Sequence, residues 1–188
     1  MEIYLVRHTK VAISRDYCYG ISDVDLAKSY KADIQTVMEK LNKIQFSKSY
    51  TSPLKRCKIL ANSLSQNPIL KDELLEMDFG DWELKKWKSL EHKQVDIWMN
   101  DFVNERPSNG ENYMDFSMKS VFFFDNLVKE LEENDKVLLT THSGVIRAII
   151  CHVLNLSLAH SFNFEIDYGS VSKIEVIEGW YKVKYLNY

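Results

Sequence analysis

The chain has 188 residues, of which 45% are hydrophobic and 27% charged, with a formal net charge of −3. This length suits one domain able to bury about 70% of the surface its unfolded form exposes, without staples. The balance holds no basic excess to make nucleic acid the main partner, and no apolar stretch approaches the ~18 residues of a membrane span, so an anionic ligand must be held by a local cluster of cations.

In chain order, Glu2, Ile3, Tyr4, Leu5 and Val6 form a short apolar run suited to a buried strand, which stops on Arg7 and His8. Ligands of an open α/β sheet bind beyond the carboxyl ends of its strands. An arginine fork matches phosphate oxygens, and an imidazole serves as nucleophile, base or ligand. Taken alone, the pair is equally an ordinary strand end. Residues 9–27, with Gly20 and several Ser and Asp, lack a helical period and read as a long loop, a class that is functional when tied to a site.

Ile34, Val37, Met38, Leu41 and Ile44 then recur at helical spacing, predicting an amphipathic helix from Ser29 to about Lys43. Residues 47–51 offer a short strand. Ser52 reads as the N-cap of a second helix with Pro53 at its first position, and Leu54, Cys57, Leu60, Ala61 and Leu64 as its buried stripe. A strand-like piece at 68–75 leads to Glu76 and a Phe79-Gly80 turn. A helix is expected over 91–103, a loop at 106–110, and a further helix from about Met114 to Glu133. Val137 to Thr141 is a second apolar strand ending on a histidine, His142, and Ser143-Gly144 opens the next helix. The alternating segment 172–185, with Glu178-Gly179 at its centre, predicts a C-terminal β-hairpin.

This order implies an α/β fold, a three-layer α/β/α sandwich around a mostly parallel sheet, in one domain over 1–188 with 80–113 inserted over the active site. Cys18, Cys57 and Cys151 are odd in number and form no Cys-x-x-Cys pair, which predicts reduced thiols in a cytoplasmic protein. Asp78, Asp81 and Glu83 crowd Glu76 but have no His or Cys at ligand spacing, so a solvated turn is expected and no metal. His92, His152 and His160 have no partner motif. Arg147, one turn into its helix, reads as a structural ion-pair donor, and the lysines 85, 86 and 88 as a solvated face.

Parallel neighbouring strands would place His8 and His142 side by side. Arg56, in the first turns of the second helix, would join Arg7 around one anion, where the positive helix end already favours negative charge. Phosphoryl transfer asks mainly for positioning and charge stabilisation, histidine is a competent covalent nucleophile, and Glu76 is the best-placed carboxylate to protonate a leaving oxygen.

Four segments, Leu5-Val6-Arg7-His8-Thr9, Ser52-Pro53-Leu54-Lys55-Arg56-Cys57, Glu76-Met77-Asp78-Phe79-Gly80-Asp81-Trp82-Glu83 and Thr141-His142-Ser143-Gly144-Val145-Ile146-Arg147, together resemble the signatures of the histidine phosphatase superfamily, which includes the cofactor-dependent phosphoglycerate mutases. The resemblance implies His8 as the phosphorylated nucleophile, Arg7, Arg56 and His142 as the phosphate pocket, Glu76 as proton donor, and a contribution from the Ser143 N–H. It implies no cofactor and no metal. Ser14 stands where many members carry a phosphate-contacting asparagine, and Asn112 replaces the serine of a Gly-Glu-Ser element. The loop Cys18-Tyr19-Gly20-Ile21-Ser22-Asp23-Val24-Asp25-Leu26 looks most like the α-ribazole phosphatases of cobalamin nucleotide-loop assembly; Ser14, by its place in the family pattern, and Gly20 are the further expected substrate contacts.

The expected function is a metal-independent phosphomonoester hydrolase acting on a small phosphorylated metabolite, with no nucleic acid or membrane partner and a homodimer left open. One alternative is a phosphoglycerate mutase, against which Trp98-Met99-Asn100 lacks the two arginines that usually clamp the phosphoglycerate carboxylate. The other is a non-catalytic phosphate-binding scaffold, whose expected mark, loss of the nucleophile or the acid, is missing at His8 and Glu76. Aromatic residues concentrated in 79–116 suit a pocket for an organic leaving group and equally suit a core.

Overall fold

A computed structural model describes all 188 residues. Its centre is a six-stranded sheet in the order β3-β2-β4-β1-β5-β6. The strands are β1 (Glu2–Arg7), β2 (Lys48–Thr51), β3 (Ile69–Leu70), β4 (Lys136–Thr141), β5 (Val171–Ile177) and β6 (Trp180–Tyr185). β1, β4, β2 and β3 run parallel; β5 lies antiparallel against β1, and β6 against β5. The helices are α1 (Tyr30–Lys40), α2 (Lys55–Leu64), α3 (His92–Asn100), α4 (Tyr113–Lys129) and α5 (Ser143–Val153).

Because side chains alternate across a strand, the apolar run of β1 serves two cores. Ile3 and Leu5, with Val137 and Leu139 of β4, face the larger cluster built with Phe116, Phe124, Leu127, Ile146 and Ile149 of α4 and α5. Tyr4, Val6 and Leu138 face the smaller one, with Ile34, Val37 and Leu60 of α1 and α2. A third group, Cys18, Trp82, Leu90 and Trp98, joins Cys18 of the long loop to the 79–102 region. The expected hairpin is present, turning through Glu178 and Gly179, both at positive φ (51° and 81°), the backbone a tight two-residue hairpin turn requires.

Several sequence expectations shift; α3 ends at Asn100 and α4 at Lys129, three and four residues short of the expected ends. The strand at 68–75 shrinks to Ile69–Leu70, both exposed at the sheet edge, and the chain then coils through a 3-10 turn (Asp72–Leu74) that buries Leu74. The first helix stops at Lys40, three residues before Lys43, which sits at φ 68°. Ser52 does not cap α2. The helix begins at Lys55, and the carboxylate of Asp23, from the long loop, accepts the Lys55 N–H at 2.8 Å. A carboxylate at a helix N-terminus satisfies an orphan donor and complements the dipole. Asn112, in contrast, is a true cap: its side chain accepts the Asp115 N–H at 2.7 Å at the head of α4.

Candidate active site

The β1–β4 register pairs Arg7 with Thr141, so the next residue on each strand, His8 and His142, leaves the sheet beside the other. The His8 N–H donates to the Thr141 carbonyl at 3.0 Å, and the two rings lie edge to face with centroids 5.1 Å apart. β2 brings Ser52 alongside in the same way, its N–H bonded to the Thr140 carbonyl. Three parallel strands therefore deliver three polar side chains to one point.

Nδ1 of His8 lies 2.8 Å from its neighbour's acceptor, the Thr9 carbonyl. Nδ1 therefore carries the hydrogen, and the Nε2 lone pair is free. Arg7 stacks its guanidinium over Tyr168, 3.9 Å from the ring centroid, donates from Nη1 to the Ile166 carbonyl at 2.6 Å, and keeps a buried Nε without a partner. Arg56 is fully buried and donates from Nε to His142 Nδ1 (3.3 Å), from Nη1 to Ser22 O (2.7 Å) and from Nη2 to Gly20 O (2.5 Å). A guanidinium has five N–H donors, so two of the Arg56 donors remain for an anion.

Glu76 arrives on a segment fixed by Thr141, whose hydroxyl donates to the Leu74 carbonyl at 2.8 Å. Its Oε2 accepts the Gly144 N–H at 3.2 Å in the first turn of α5. That approach needs a glycine: a Cβ on residue 144 would stand 2.2 Å from Glu76 Oε1.

Arg7, His8, Arg56, Glu76 and Ser143 line one cavity of about 330 Å³, walled farther out by Tyr17, Phe79, Trp87, Trp98, Phe102 and Phe162. Other expected contacts fall elsewhere. His142 is fully buried behind the wall, with Nε2 2.9 Å from Ser52 Oγ and Nδ1 facing Arg56, so both nitrogens are occupied and it supports the pocket through Arg56 and His8. Ser14 is exposed and donates to Asp16 (3.2 Å), outside the cavity, where Arg15 stands instead. Gly20 is buried and touches Arg56, not the cavity. None of the lysines 85, 86 and 88 lines it.

Several contributors gave no sequence signal. Tyr168 packs against both Arg7 and His8, and its hydroxyl is 2.6 Å from that of Tyr19. Glu83, expected in a solvated turn, accepts four backbone N–H groups, from Gly20 (3.1 Å), Ile21 (3.2 Å), Ser22 (3.2 Å) and Phe79 (3.1 Å). It thereby fixes the two carbonyls that hold Arg56. Its neighbours are committed likewise, Asp78 to the Gly80 N–H and Asp81 to Ser108 and Asn109.

Glu83→Gln offers an amide where N–H groups converge, leaving backbone donors opposed by another donor. We expect kcat/KM for phosphomonoesters to fall about 10–100-fold, the usual effect of losing a group that orients a ligand-binding residue, with inhibition by inorganic phosphate weakened alongside. Unaltered phosphate inhibition would refute this chain of support.

Both rings are held well below the ordinary imidazole value of 6.5, chiefly by burial and next by the Arg56 charge; Arg7 adds to both, and His8 adds to the effect on His142. Neutral imidazole is the form with a lone pair to attack or accept. Below pH 6.5 the unfolded chain takes up protons that the folded chain refuses, so this contribution is complete above 6.5 and is lost as pH falls toward the folded-state values, by up to ~1.4 kcal/mol per pH unit for each ring. Asp25, Asp81, Asp135, Glu2 and Glu175 are lowered and titrate beneath this window. Urea unfolding between pH 7.5 and 5.5 should show stability dropping below 6.5; a flat profile would contradict the burial of neutral rings.

Two guanidinium groups beside a neutral imidazole with a free Nε2 have the chemistry to hold a tetrahedral dianion next to a lone pair able to attack it, with a carboxylate within the same cavity. The sequence profile of the histidine phosphatase superfamily, branch 1, matches residues 3–188.

The chain belongs to the histidine phosphatase superfamily.

Among its relatives, the adenosylcobalamin/alpha-ribazole phosphatase of Salmonella typhimurium is 26% identical over 100% of this chain and 96% of its own. A putative phosphoserine phosphatase 2 of Hydrogenobacter thermophilus is 24% identical over 99% of this chain and 95% of its own. The crystal structure of the alpha-ribazole phosphatase from Shigella flexneri superimposes with a TM-score of 0.91 at 24% identity, covering 100% of this chain and 96% of that one, which shows the shared fold. As a histidine phosphatase, the chain is a phosphatase enzyme on a mixed sheet flanked by helices. No helix is long and apolar enough to cross a membrane.

Proposed function

We propose that this histidine phosphatase is a metal-independent phosphomonoester hydrolase that works through a phosphohistidine on His8. The observation that carries the reading is the His8 ring itself: buried, neutral, with Nδ1 tied to the Thr9 carbonyl and Nε2 facing a cavity flanked by Arg7 and Arg56. Arg7, the two unused Arg56 donors and the Ser143 N–H hold the phosphoryl oxygens and stabilise their charge in transfer. Nε2 attacks phosphorus in line; the P–N bond forms as the ester P–O bond breaks, and Glu76, in its acid form, gives its proton to the departing oxygen. Glu76 carboxylate then takes a proton from water as that water attacks phosphorus, the P–N bond breaks, and phosphate leaves. His142 keeps Arg56 and the His8 ring in place.

For the substrate we infer α-ribazole 5′-phosphate. The support is a full-length likeness to phosphatases of that name and an outer cavity walled by aromatic rings, which suits a leaving alcohol bearing a planar base. Residues 80–113 act in this reading as an insertion over the pocket, supplying Trp87, Trp98 and Phe102 to its wall. A panel of α-ribazole 5′-phosphate, phosphoserine, 3-phosphoglycerate and p-nitrophenyl phosphate, assayed with a chelator, tests both levels. Highest kcat/KM on α-ribazole 5′-phosphate is expected. A tenfold preference for another ester would remove that substrate, and loss of all turnover on chelation would remove metal independence.

A further inference from the structure

Beyond the phosphate end, the cavity wall carries two more cations, Arg15, which is exposed, and Arg147. Arg147 stands four residues after Ser143 on α5, hence on the same helical face, and lines the same cavity. Its guanidinium carbon is 4.8 Å from the Phe162 ring centroid, and its Nε is buried with no partner, as is that of Arg7. Its hydrogen bonding within the protein amounts to a long contact, 3.4 Å from Nη2 to the Phe164 carbonyl. None of the ion pairs of the structure includes it, so the expected role as a structural ion-pair donor does not hold.

A guanidinium does not shed its proton, and its burial is costly until an acceptor meets its donors. Here burial acts against the charge and Arg7 adds to it, while Glu76 and the exposed Glu165 offset this from beyond ion-pair distance. Aromatic rings make up the wall beside it, with Glu165 and Asp167 among the polar residues of the same lining. Phe162, Phe102 and Tyr113 pack in sequence with centroids 5.0 and 5.7 Å apart, and the Tyr113 hydroxyl is already committed to the Gly144 carbonyl at 2.9 Å. Pockets of this kind place few polar groups on an apolar lining, and those few fix the orientation of the ligand.

We propose that Arg147 is a specificity residue: it receives an oxygen acceptor, hydroxyl or carboxylate, carried by the leaving group of the phosphomonoester, while Phe162 and Phe102 cover the adjoining carbon frame. This rests on the hydrolase reading and adds to it a second recognition point, separate from the phosphate. Esters bearing such an acceptor are favoured over bare aryl phosphates of equal size.

The test compares kcat/KM of wild type and Arg147→Met, which keeps an unbranched apolar stem, on ribose 5-phosphate, 3-phosphoglycerate and phenyl phosphate, the last having no second acceptor. The ratio of an acceptor-bearing ester to phenyl phosphate should fall about 10–100-fold, the effect of losing a hydrogen bond to a charged group. A fall confined to ribose 5-phosphate assigns a hydroxyl, and one confined to 3-phosphoglycerate a carboxylate; either supports the proposal. Equal losses on all three esters, an unchanged ratio, or weakening of inorganic phosphate inhibition to the same degree would overturn it. Should Arg147→Met not fold, Arg147→Lys carries the same comparison, with the ratio again expected to fall because a point charge does not reproduce the planar fork. Failure of the wild type to hydrolyse any of the three would count against the hydrolase reading and this inference together, whereas hydrolysis with an unchanged ratio overturns this inference alone.

Discussion

Replacing His8 with alanine should lower turnover of p-nitrophenyl phosphate by on the order of 10⁴-fold or more, the scale on which covalent catalysts lose activity with their nucleophile. The size follows from the arrangement. Arg7 and Arg56 would still seat the phosphoryl group, but nothing else in the cavity offers a neutral lone pair held in one tautomer: His142 has both ring nitrogens engaged and lies behind the wall. The Cys57 thiol packs 3.4 Å from His142, and burial pushes its pKa far up, so it stays protonated and inert. Wild-type protein quenched in alkali after brief exposure to substrate should retain phosphate on His8, and the alanine variant none. Equal activity in the two proteins would end the covalent mechanism and revive the scaffold reading.

Glu76→Gln should produce the second large effect, about 10²–10⁴-fold, but only where the leaving oxygen needs a proton. Alkyl phosphates depart as poor alkoxides and require the acid, whereas p-nitrophenolate leaves unaided. The variant should therefore form phosphohistidine slowly from an alkyl ester and nearly normally from p-nitrophenyl phosphate. The amide oxygen can still accept the Gly144 N–H, while the amide nitrogen takes the place of the oxygen that accepts the Met77 N–H; any change this makes to the site is common to both esters, so their comparison isolates the proton. Equal slowing on both substrates would take the acid role from Glu76.

These effects depend on contacts of very unequal legibility. The strands ending on His8 and His142 are visible as apolar runs cut off by polar residues, because a strand buried on both faces must be apolar throughout. The second helix is legible as a helix but its start is not: Ser52 has the chemistry of a cap, but its hydroxyl faces His142, and the cap comes from Asp23 in a loop with no periodicity. Glu83 departs from its expected solvated turn for a related reason. A carboxylate that collects backbone N–H groups has the same sequence appearance as one facing water, since its partners are main-chain atoms common to every residue. Arg147 has the sequence appearance of an ion-pair donor on its helix; only the tertiary structure shows that no carboxylate pairs with it.

By itself the sequence determined the elements, their order, the class of fold and the residue types able to handle a phosphoryl group, because hydrophobic periodicity and side-chain chemistry are local properties. The tertiary structure decided the rest: the pairing of Arg7 with Thr141 that sets the two histidines side by side, the tautomer of His8, the withdrawal of His142 behind the wall, and the support of Arg56 by Gly20, Ser22 and, through them, Glu83. Each of these depends on strand register or on a hydrogen bond between residues distant in the chain, and neither is encoded in any short stretch of residues.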